Sequence, residues 1–285
     1  MSQIFSSANV RFGGSVTEAL ALWIVIGFSA AAVLGFAVFG VRPELLGHVP
    51  WAVPFFAFSF RLFSIGQILL ATGALALLLV LRTGVRWVPA FIALYAISLA
   101  SELSGTQIGF PFGPYHYTPT LGAKWFGEVP LVIPLSWFIM AIPAYFIALK
   151  MAPGRGAWTH IALGAAVLTA WDLALDPAMS HATVYWRWEV EGAYYGMPWV
   201  NLAGWLFTST LLMMALTVLR ADRWVLQLPF AWLVCFYGAN VLLALGMAMV
   251  AGLVWAVVAT LGAYAALGVI GRTFRRAHGA EPVAV

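Results

Sequence analysis

Long apolar runs, separated by short segments that carry most of the charge, fill almost the whole chain. An α-helix needs about 20 apolar residues to cross a bilayer core of about 30 Å, so these runs predict an all-α integral membrane protein of about eight spans. The last two runs are separated by little more than Ala251 and Gly252, which leaves seven spans as the alternative. We expect one transmembrane domain over residues 1–285, with spans near 18–41, 55–81, 87–104, 130–150, 158–177, 199–219, 228–248 and 251–271.

The Lys and Arg residues predict the orientation. With eight spans, ten of them share the side that holds both termini and the loops after spans two, four and six, whereas three lie opposite. Short loops rich in Lys and Arg stay in the cytoplasm. Both termini, including a basic tail at 272–285, are therefore predicted to be cytoplasmic. The ten are Arg11, Arg82, Arg86, Lys150, Arg155, Arg220, Arg223, Arg272, Arg275 and Arg276, and the three are Arg42, Lys124 and Arg187.

Composition agrees with a lipid environment. Hydrophobic residues make up 63% of the 285 residues and charged residues 8%, with a mean hydropathy of +0.95. Soluble domains have roughly 45–50% apolar and about 25% charged residues. The net charge of +4 is spread along the chain as topology signals, so nucleic acid is not expected as a partner. Cys235 is the single cysteine, which excludes an intrachain disulfide. We expect a multi-pass protein of the cell (plasma) membrane.

Polar residues within the spans are costly in lipid and therefore point to function. Asp172 and Asp176 in TAWDLALDP are four residues apart and share one helix face. Under the predicted topology, both lie towards the non-cytoplasmic side. The other polar residues expected on that side are Glu102, Arg61, Gln67 and Asn201.

Two long non-cytoplasmic loops, after spans three and five, are dense in Phe, Tyr, Trp, Gly and Pro. Rigid aromatic walls suit a large apolar, π-rich ligand. The alternative is an interfacial aromatic belt, which Trp and Tyr supply in many membrane proteins. The glycines on both sides of Gly-Phe-Pro-Phe-Gly favour a shaped site.

Four segments, GFPFGPYHYT, FGEVPLVIPLSWF, AWDLALDP and GAYYGMPWVNLAGW, resemble the membrane-bound carotenoid 1,2-hydratases. The similarity runs from about Glu102 to Trp205. Members of that family hydrate the acyclic end group of γ-carotene, lycopene or a bacterioruberin precursor. The resemblance implies a carotenoid substrate that enters from the lipid phase, with membrane lipid as the other partner. It leaves the oligomeric state open.

The implied hydration begins with a proton delivered to C2, after which water attacks the tertiary cation at C1. No redox cofactor is needed, and we expect none. The acid must be a carboxyl group that stays protonated near neutral pH. Asp172 is the preferred acid, with Asp176 as its partner or as the base that orients water, and Glu102 as the alternate. The competing interpretation makes the Asp pair helix-end charges satisfied by Arg61 or Arg187.

Aromatic faces near the carboxyl groups can stabilise the cation, and Arg61 is expected to act as a counter-ion to Glu102 or an Asp. His116 and His181 raise the question of a metal, but their spacing is not that of a ligand motif, so we predict no metal site. The predicted substrate-binding residues are Arg61, Phe110, Phe112, Tyr115, His116, Tyr117, Trp137, Trp171, Tyr194, Tyr195 and Asn201.

Other functions fit less well. A carotenoid cyclase forms the same kind of cation but captures it with an internal double bond, and a non-enzymatic carotenoid binder needs no acid. Both remain alternatives. A prenyltransferase needs two Asp-rich motifs, and only Asp222 remains to build the second. A rhodopsin needs a lysine in mid-membrane, which Lys124 and Lys150 do not supply.

Overall fold

The computed structural model describes residues 15–277 and residue 279, and it contains eight helices long and apolar enough to cross a membrane. The all-α prediction and the count of eight are therefore confirmed. Helix α8 ends at Val250 and α9 begins at Val254, so the last two apolar runs are separate spans and the count of seven is wrong. The helices are α1 (Val16–Gly35), α2 (Val53–Thr83), α3 (Val88–Ile108), α4 (Ile133–Met151), α5 (Ala157–Asp176), α6 (Trp199–Val218), the short α7 (Asp222–Val225), α8 (Phe230–Val250) and α9 (Val254–Ala277).

The membrane orientation stays a prediction. Arg11 and most of the tail beyond Ala277 lie outside the described residues. Two spans continue past their α-helical part as π-helical turns, Phe36–Gly40 after α1 and Pro177–Ala182 after α5.

Helices α4 and α5 form the centre of the bundle. In the 18-residue apolar stretch of each, 72% of the residues are buried, compared with 22% in the first span and 17% in the last. Helix α5 packs against α4, α6, α8 and α9. Its Gly164 permits the close approach of α6, because a Cβ at this position would lie 2.5 Å from the Met213 sulfur. Small residues at such contacts are typical of helix packing in membranes.

An ion pair joins the start of α1 to the end of α2. Arg82 donates from Nε to Oε1 of Glu18 at 2.7 Å and from Nη2 to Oε2 at 2.7 Å. Glu18 also accepts from the Ser15 backbone N–H, which completes a capping box at the start of α1. Arg82, used above as a topology signal, thus also joins two spans.

The two aromatic loops meet in a small antiparallel sheet. Strand β1 (Tyr115–Tyr117) comes from the first loop and β4 (Trp186–Trp188) from the second. Side chains alternate between the faces of a strand. The two tyrosines of β1 and the two tryptophans of β4 therefore face the bundle, whereas His116 and Arg187 are exposed. The first loop also forms a hairpin of β2 (Lys124–Trp125) and β3 (Val129–Pro130). The register pairs Tyr115 with Trp188, His116 with Arg187 and Tyr117 with Trp186.

Candidate active site

Glu102 is held by three neutral donors. It lies in the last two turns of α3, six residues before Ile108, and is buried. Its Oε2 accepts hydrogen bonds from the hydroxyls of Tyr115 and of Tyr117, the latter at 2.7 Å. Its Oε1 accepts from the Trp137 indole N–H at 2.8 Å. Strand β1 and helix α4 therefore fix this carboxyl group from two sides.

Asp172 and Asp176 are joined by one amide. The spacing of four residues on α5 places them on the same face, and both are at most 1% exposed. Asn201 at the start of α6 donates from Nδ2 to Oδ2 of Asp172 at 3.0 Å and to Oδ2 of Asp176 at 3.2 Å. Among the described residues, Oδ1 of Asp172 has no hydrogen-bond partner. The two carboxyl groups therefore share a donor but differ in how fully they are satisfied.

Asp176 receives three more hydrogen bonds. Ser180, one turn later, donates its hydroxyl to Oδ1 at 2.8 Å. The indole N–H groups of Trp188 and Trp186 donate to Oδ1 and Oδ2, both at 3.2 Å. The rings of the two strands also touch, since the Tyr115 and Trp188 centroids are 5.2 Å apart. One sheet thus supplies two donors of Asp176 through β4 and two donors of Glu102 through β1.

No Lys, Arg or His within the described part of the chain forms an ion pair with Glu102, Asp172 or Asp176, which we call the carboxyl cluster. The counter-ion expected at Arg61 is not found, because that side chain is exposed. Arg187 lies on the exposed face of β4 and does not neutralise the Asp pair either. The cluster is instead surrounded by neutral hydroxyl, indole and amide donors.

A cavity of about 150 Å³ opens beside the cluster. A single water needs roughly 10–15 Å³ on this measure, so there is room for several waters or for the end of a larger molecule. Glu102, Asp176 and Asn201 line it, whereas Asp172 does not. Helices α1 to α6 and α8 all contribute to its lining.

The cavity wall is largely aromatic. Trp137 and Trp205 stack with centroids 4.1 Å apart, and Trp171 meets Trp205 edge-on at 5.9 Å. The Trp171 indole N–H is buried and has no partner among the described residues. Of the substrate-binding residues predicted from the sequence, those that line the cavity are Phe112, Tyr115, Tyr117, Trp137, Trp171 and Asn201.

The remaining predicted residues do not line the cavity. Phe110 is exposed and packs edge-on against Phe207. Tyr194 donates its hydroxyl to the carbonyl of Leu173 at 2.8 Å, and the Tyr195 hydroxyl accepts from the Trp255 backbone N–H at 3.0 Å. These two tyrosines therefore brace the second loop against the helices.

The two histidines also lie away from the cavity. His116 is exposed, with Nδ1 3.9 Å from the Glu189 carboxylate, and His181 is exposed. Within residues 15–277 and residue 279, no group of three His, Cys, Asp or Glu side chains could hold a metal ion.

Burial raises the pKa of Tyr115 and of Tyr117 well above the usual range, and the charge of the nearby Glu102 carboxyl raises both further. Both lie in the loop between α3 and α4, outside the spans. They therefore remain O–H donors throughout the physiological pH range.

Three donors of Asp176 were not predicted from the sequence, namely Ser180, Trp186 and Trp188. The signal for the two tryptophans is the alternation in Trp-Arg-Trp, matched by Tyr-His-Tyr in the first loop. Alternation of aromatic and charged residues is typical of a half-buried strand. Two such triplets, one in each loop, are a weak signal for two short strands.

Comparison with known proteins bears directly on this site. A family model described as "Carotenoid biosynthesis protein" matches residues 63–267. The chain belongs to this family. The matched range includes the whole carboxyl cluster and both loops, so the resemblance seen in the sequence motifs is confirmed.

A curated relative narrows the role within the family. The chain is 30% identical over 208 residues to a protein named bisanhydrobacterioruberin hydratase from Haloarcula japonica, which covers 72% of the chain and 67% of that protein. No solved structure matches the chain. The family and this relative support a hydratase-type role in carotenoid biosynthesis for a multi-pass membrane protein.

Proposed function

We propose that this protein is a cofactor-independent hydro-lyase that adds water across the terminal C1–C2 double bond of an acyclic carotenoid end group, of the γ-carotene or lycopene type. The observation that carries the proposal is a cluster of three buried carboxyl groups, without a paired cation among the described residues, of which Glu102 and Asp176 line an aromatic cavity. The substrate enters from the lipid phase of the cell membrane.

The carboxyl cluster is suited to hold protons. Burying a carboxylate without a cation costs several kcal/mol per ion even after relaxation, by a rough estimate. Three negative charges in one buried cluster would also repel one another. The cluster therefore carries fewer than three negative charges, because at least one of its carboxyl groups is protonated. This proton is available next to an apolar cavity.

Asp176 delivers that proton to C2 in this proposal, which is supported by the position of Asp176 in the cavity wall, where Asp172 is not found. This reverses the roles preferred from the sequence. Four donors surround Asp176 and stabilise the carboxylate that forms as the proton leaves. Asp172 also holds a proton and is coupled to Asp176 through the shared amide of Asn201.

The cation that forms at C1 meets aromatic ring faces. Trp137, Trp171 and Trp205 line the cavity, and each cation–π contact is worth about 0.5–2 kcal/mol. Water then forms the C1–O bond, and the extra proton passes from its oxygen to Glu102, whose three donors stabilise the carboxylate that receives it. One proton leaves the cluster and one returns, so the cluster ends with its original proton count.

A cyclase is the second candidate, since it shares the protonation step. A non-enzymatic binder is the third. The hydratase named among the relatives favours water as the nucleophile. The presence of Glu102, Asp176 and Asn201 in the cavity wall also favours it, because polar residues can bind water where a cyclase needs a dry wall.

The test is pigment analysis in cells that make lycopene or γ-carotene and express the wild type, Asp176→Asn or Asp172→Asn. We expect a product heavier by one water from the wild type, and a loss of about 100-fold or more in Asp176→Asn, within the range for general acid catalysis. Asp222→Asn is the matched control, because Asp222 is a partly exposed residue of α7 paired with Arg220. It should behave as the wild type.

Each alternative predicts a different pigment. A product of unchanged mass with a new ring would identify a cyclase. Unchanged pigments, with carotenoid bound to the purified protein, would identify a binder. Full hydration by Asp176→Asn would contradict the assignment of the acid.

A further inference from the structure

A second cluster of polar side chains lies beside the same cavity, in the middle of the bundle. Ser29 of α1, Gln67 of α2 and Asn240 of α8 form it, and we call it the Gln67 cluster. Each of the three is at most 5% exposed. Asn240 is the central residue of α8, and both it and Gln67 line the cavity. The carboxyl cluster lies on α3 and α5, so different helices supply the two polar groups.

The orientation of the Gln67 amide follows from its partners. The Ser29 hydroxyl donates to the carbonyl of Val25 at 2.9 Å, so its oxygen accepts from Gln67 Nε2, also at 2.9 Å. The Asn240 amide nitrogen donates to the carbonyl of Phe236 at 2.9 Å, so its Oδ1 accepts from Gln67 Nε2 at 3.4 Å. Both partners present acceptors, which requires Gln67 to present its nitrogen to them.

This leaves Oε1 of Gln67 as a buried acceptor with no donor among the described residues. A buried polar atom without a partner is costly and calls for one. An amide oxygen accepts hydrogen bonds, so the missing partner must donate one. None of the three members of the cluster is charged, which favours a neutral ligand with an O–H group.

We propose that the Gln67 cluster binds the water molecule that attacks C1. This inference rests on the proposed function. The water donates one hydrogen to Gln67 Oε1, and its lone pair forms the C1–O bond. Its other hydrogen leaves as the proton that Glu102 takes. An amide is not a base, so Gln67 is a positioning residue that holds the nucleophile. It thereby directs the cation towards an alcohol and away from proton loss.

Gln67→Met tests this proposal, since methionine fills a similar volume without the acceptor. The purified protein is assayed with lycopene in D2O, and both hydrated product and deuterium in recovered substrate are measured. If water is not held, the cation formed by deuteron transfer to C2 loses a proton and returns as alkene. The variant should therefore make product about ten-fold more slowly or worse, the loss of one hydrogen bond to a reacting group. It should still place deuterium at C2 of the recovered substrate.

Two further variants keep the test decisive. Thr72→Val is the matched control on α2, because the Thr72 hydroxyl donates to the Ile68 carbonyl at 2.7 Å and does not line the cavity. It should leave both readouts unchanged. Ser29→Ala removes one of the two acceptors that orient the Gln67 amide, and product formation should fall by about three-fold, a weaker effect than loss of the acceptor itself. If Gln67→Met does not fold, Ser29→Ala carries the test.

The outcomes separate the two proposals. Wild-type rates in Gln67→Met, or loss of both hydration and deuterium exchange in a folded variant, would overturn the water site. Normal hydration in the first turnover with faster product release would show that the cluster binds the alcohol product, which also overturns it. If the wild type hydrates neither lycopene nor γ-carotene and exchanges no deuterium, the proposed function is wrong, whatever the Gln67 variant does.

Discussion

Asn201→Leu tests whether one amide supports the carboxyl cluster. Leucine is close to asparagine in size but has no donor. The substitution leaves Asp172, which is 0% exposed, with no side-chain donor among the described residues, whereas Asp176 keeps three. An unsatisfied buried acceptor costs about 1–3 kcal/mol, and the weakened Asp176 adds about 1 kcal/mol. The free energy of unfolding should therefore fall by about 2–4 kcal/mol.

The assay is unfolding in mixed micelles with increasing SDS, together with the hydration rate of the folded fraction. Because the shared amide also couples the two Asp residues, the rate should fall by about ten-fold or more, equal to about 1.4 kcal/mol. Thr210→Val on the same helix is the control, since the Thr210 hydroxyl is satisfied by the Leu206 carbonyl at 2.7 Å. If Asn201→Leu matches Thr210→Val in both stability and rate, Asn201 does not support the cluster.

Two further predictions concern the loops that cap the cavity. Gly204→Ala places a Cβ 2.6 Å from the carbonyl oxygen of Pro111 and 2.7 Å from the Phe112 ring. Overpacking of this kind costs about 1–3 kcal/mol, so the midpoint of SDS unfolding should decrease. An unchanged midpoint would refute the close approach. The raised pKa of Tyr115 and Tyr117 predicts stability that is fully present below the unfolded pKa of about 10 and is lost as pH rises through the folded pKa. Near pH 10, the phenolate absorbance of the native protein should equal that of a Tyr115→Phe/Tyr117→Phe variant, and the two should differ only after denaturation.

The class of fold could be predicted from the sequence because lipid imposes a simple rule on length and hydropathy. Each run of about 20 apolar residues became a helix. The boundary between α8 and α9 was ambiguous because hydropathy barely changes there. Gly252 adopts a φ of +74°, in the left-handed region that favours glycine, and this turn separates the two spans.

The site was predictable in part for a related reason. Asp172, Asp176, Glu102 and Asn201 stand out because polar residues in lipid are rare. Which carboxyl group borders the cavity depends on helix rotation, which hydropathy does not fix. The ion pair expected at Arg61 was wrong because that side chain is exposed. Four of the neutral donors of the cluster lie instead on the two loops, and their distance in sequence hides the contact between the loops.

Neutral donors around the carboxyl cluster suit the chemistry proposed for the site. An Arg or Lys beside the cluster would stabilise a carboxylate, but it would also place a positive charge near the cation that forms at C1. At about 4 Å and an effective dielectric constant of about 20, two like charges repel by about 4 kcal/mol, which corresponds to roughly a thousand-fold in rate. Hydroxyl, indole and amide donors stabilise the carboxylate without that penalty. Introducing a cation, as in Asn201→Lys, should therefore slow hydration more than Asn201→Leu does, and equal rates in the two variants would argue against a carbocation in the reaction.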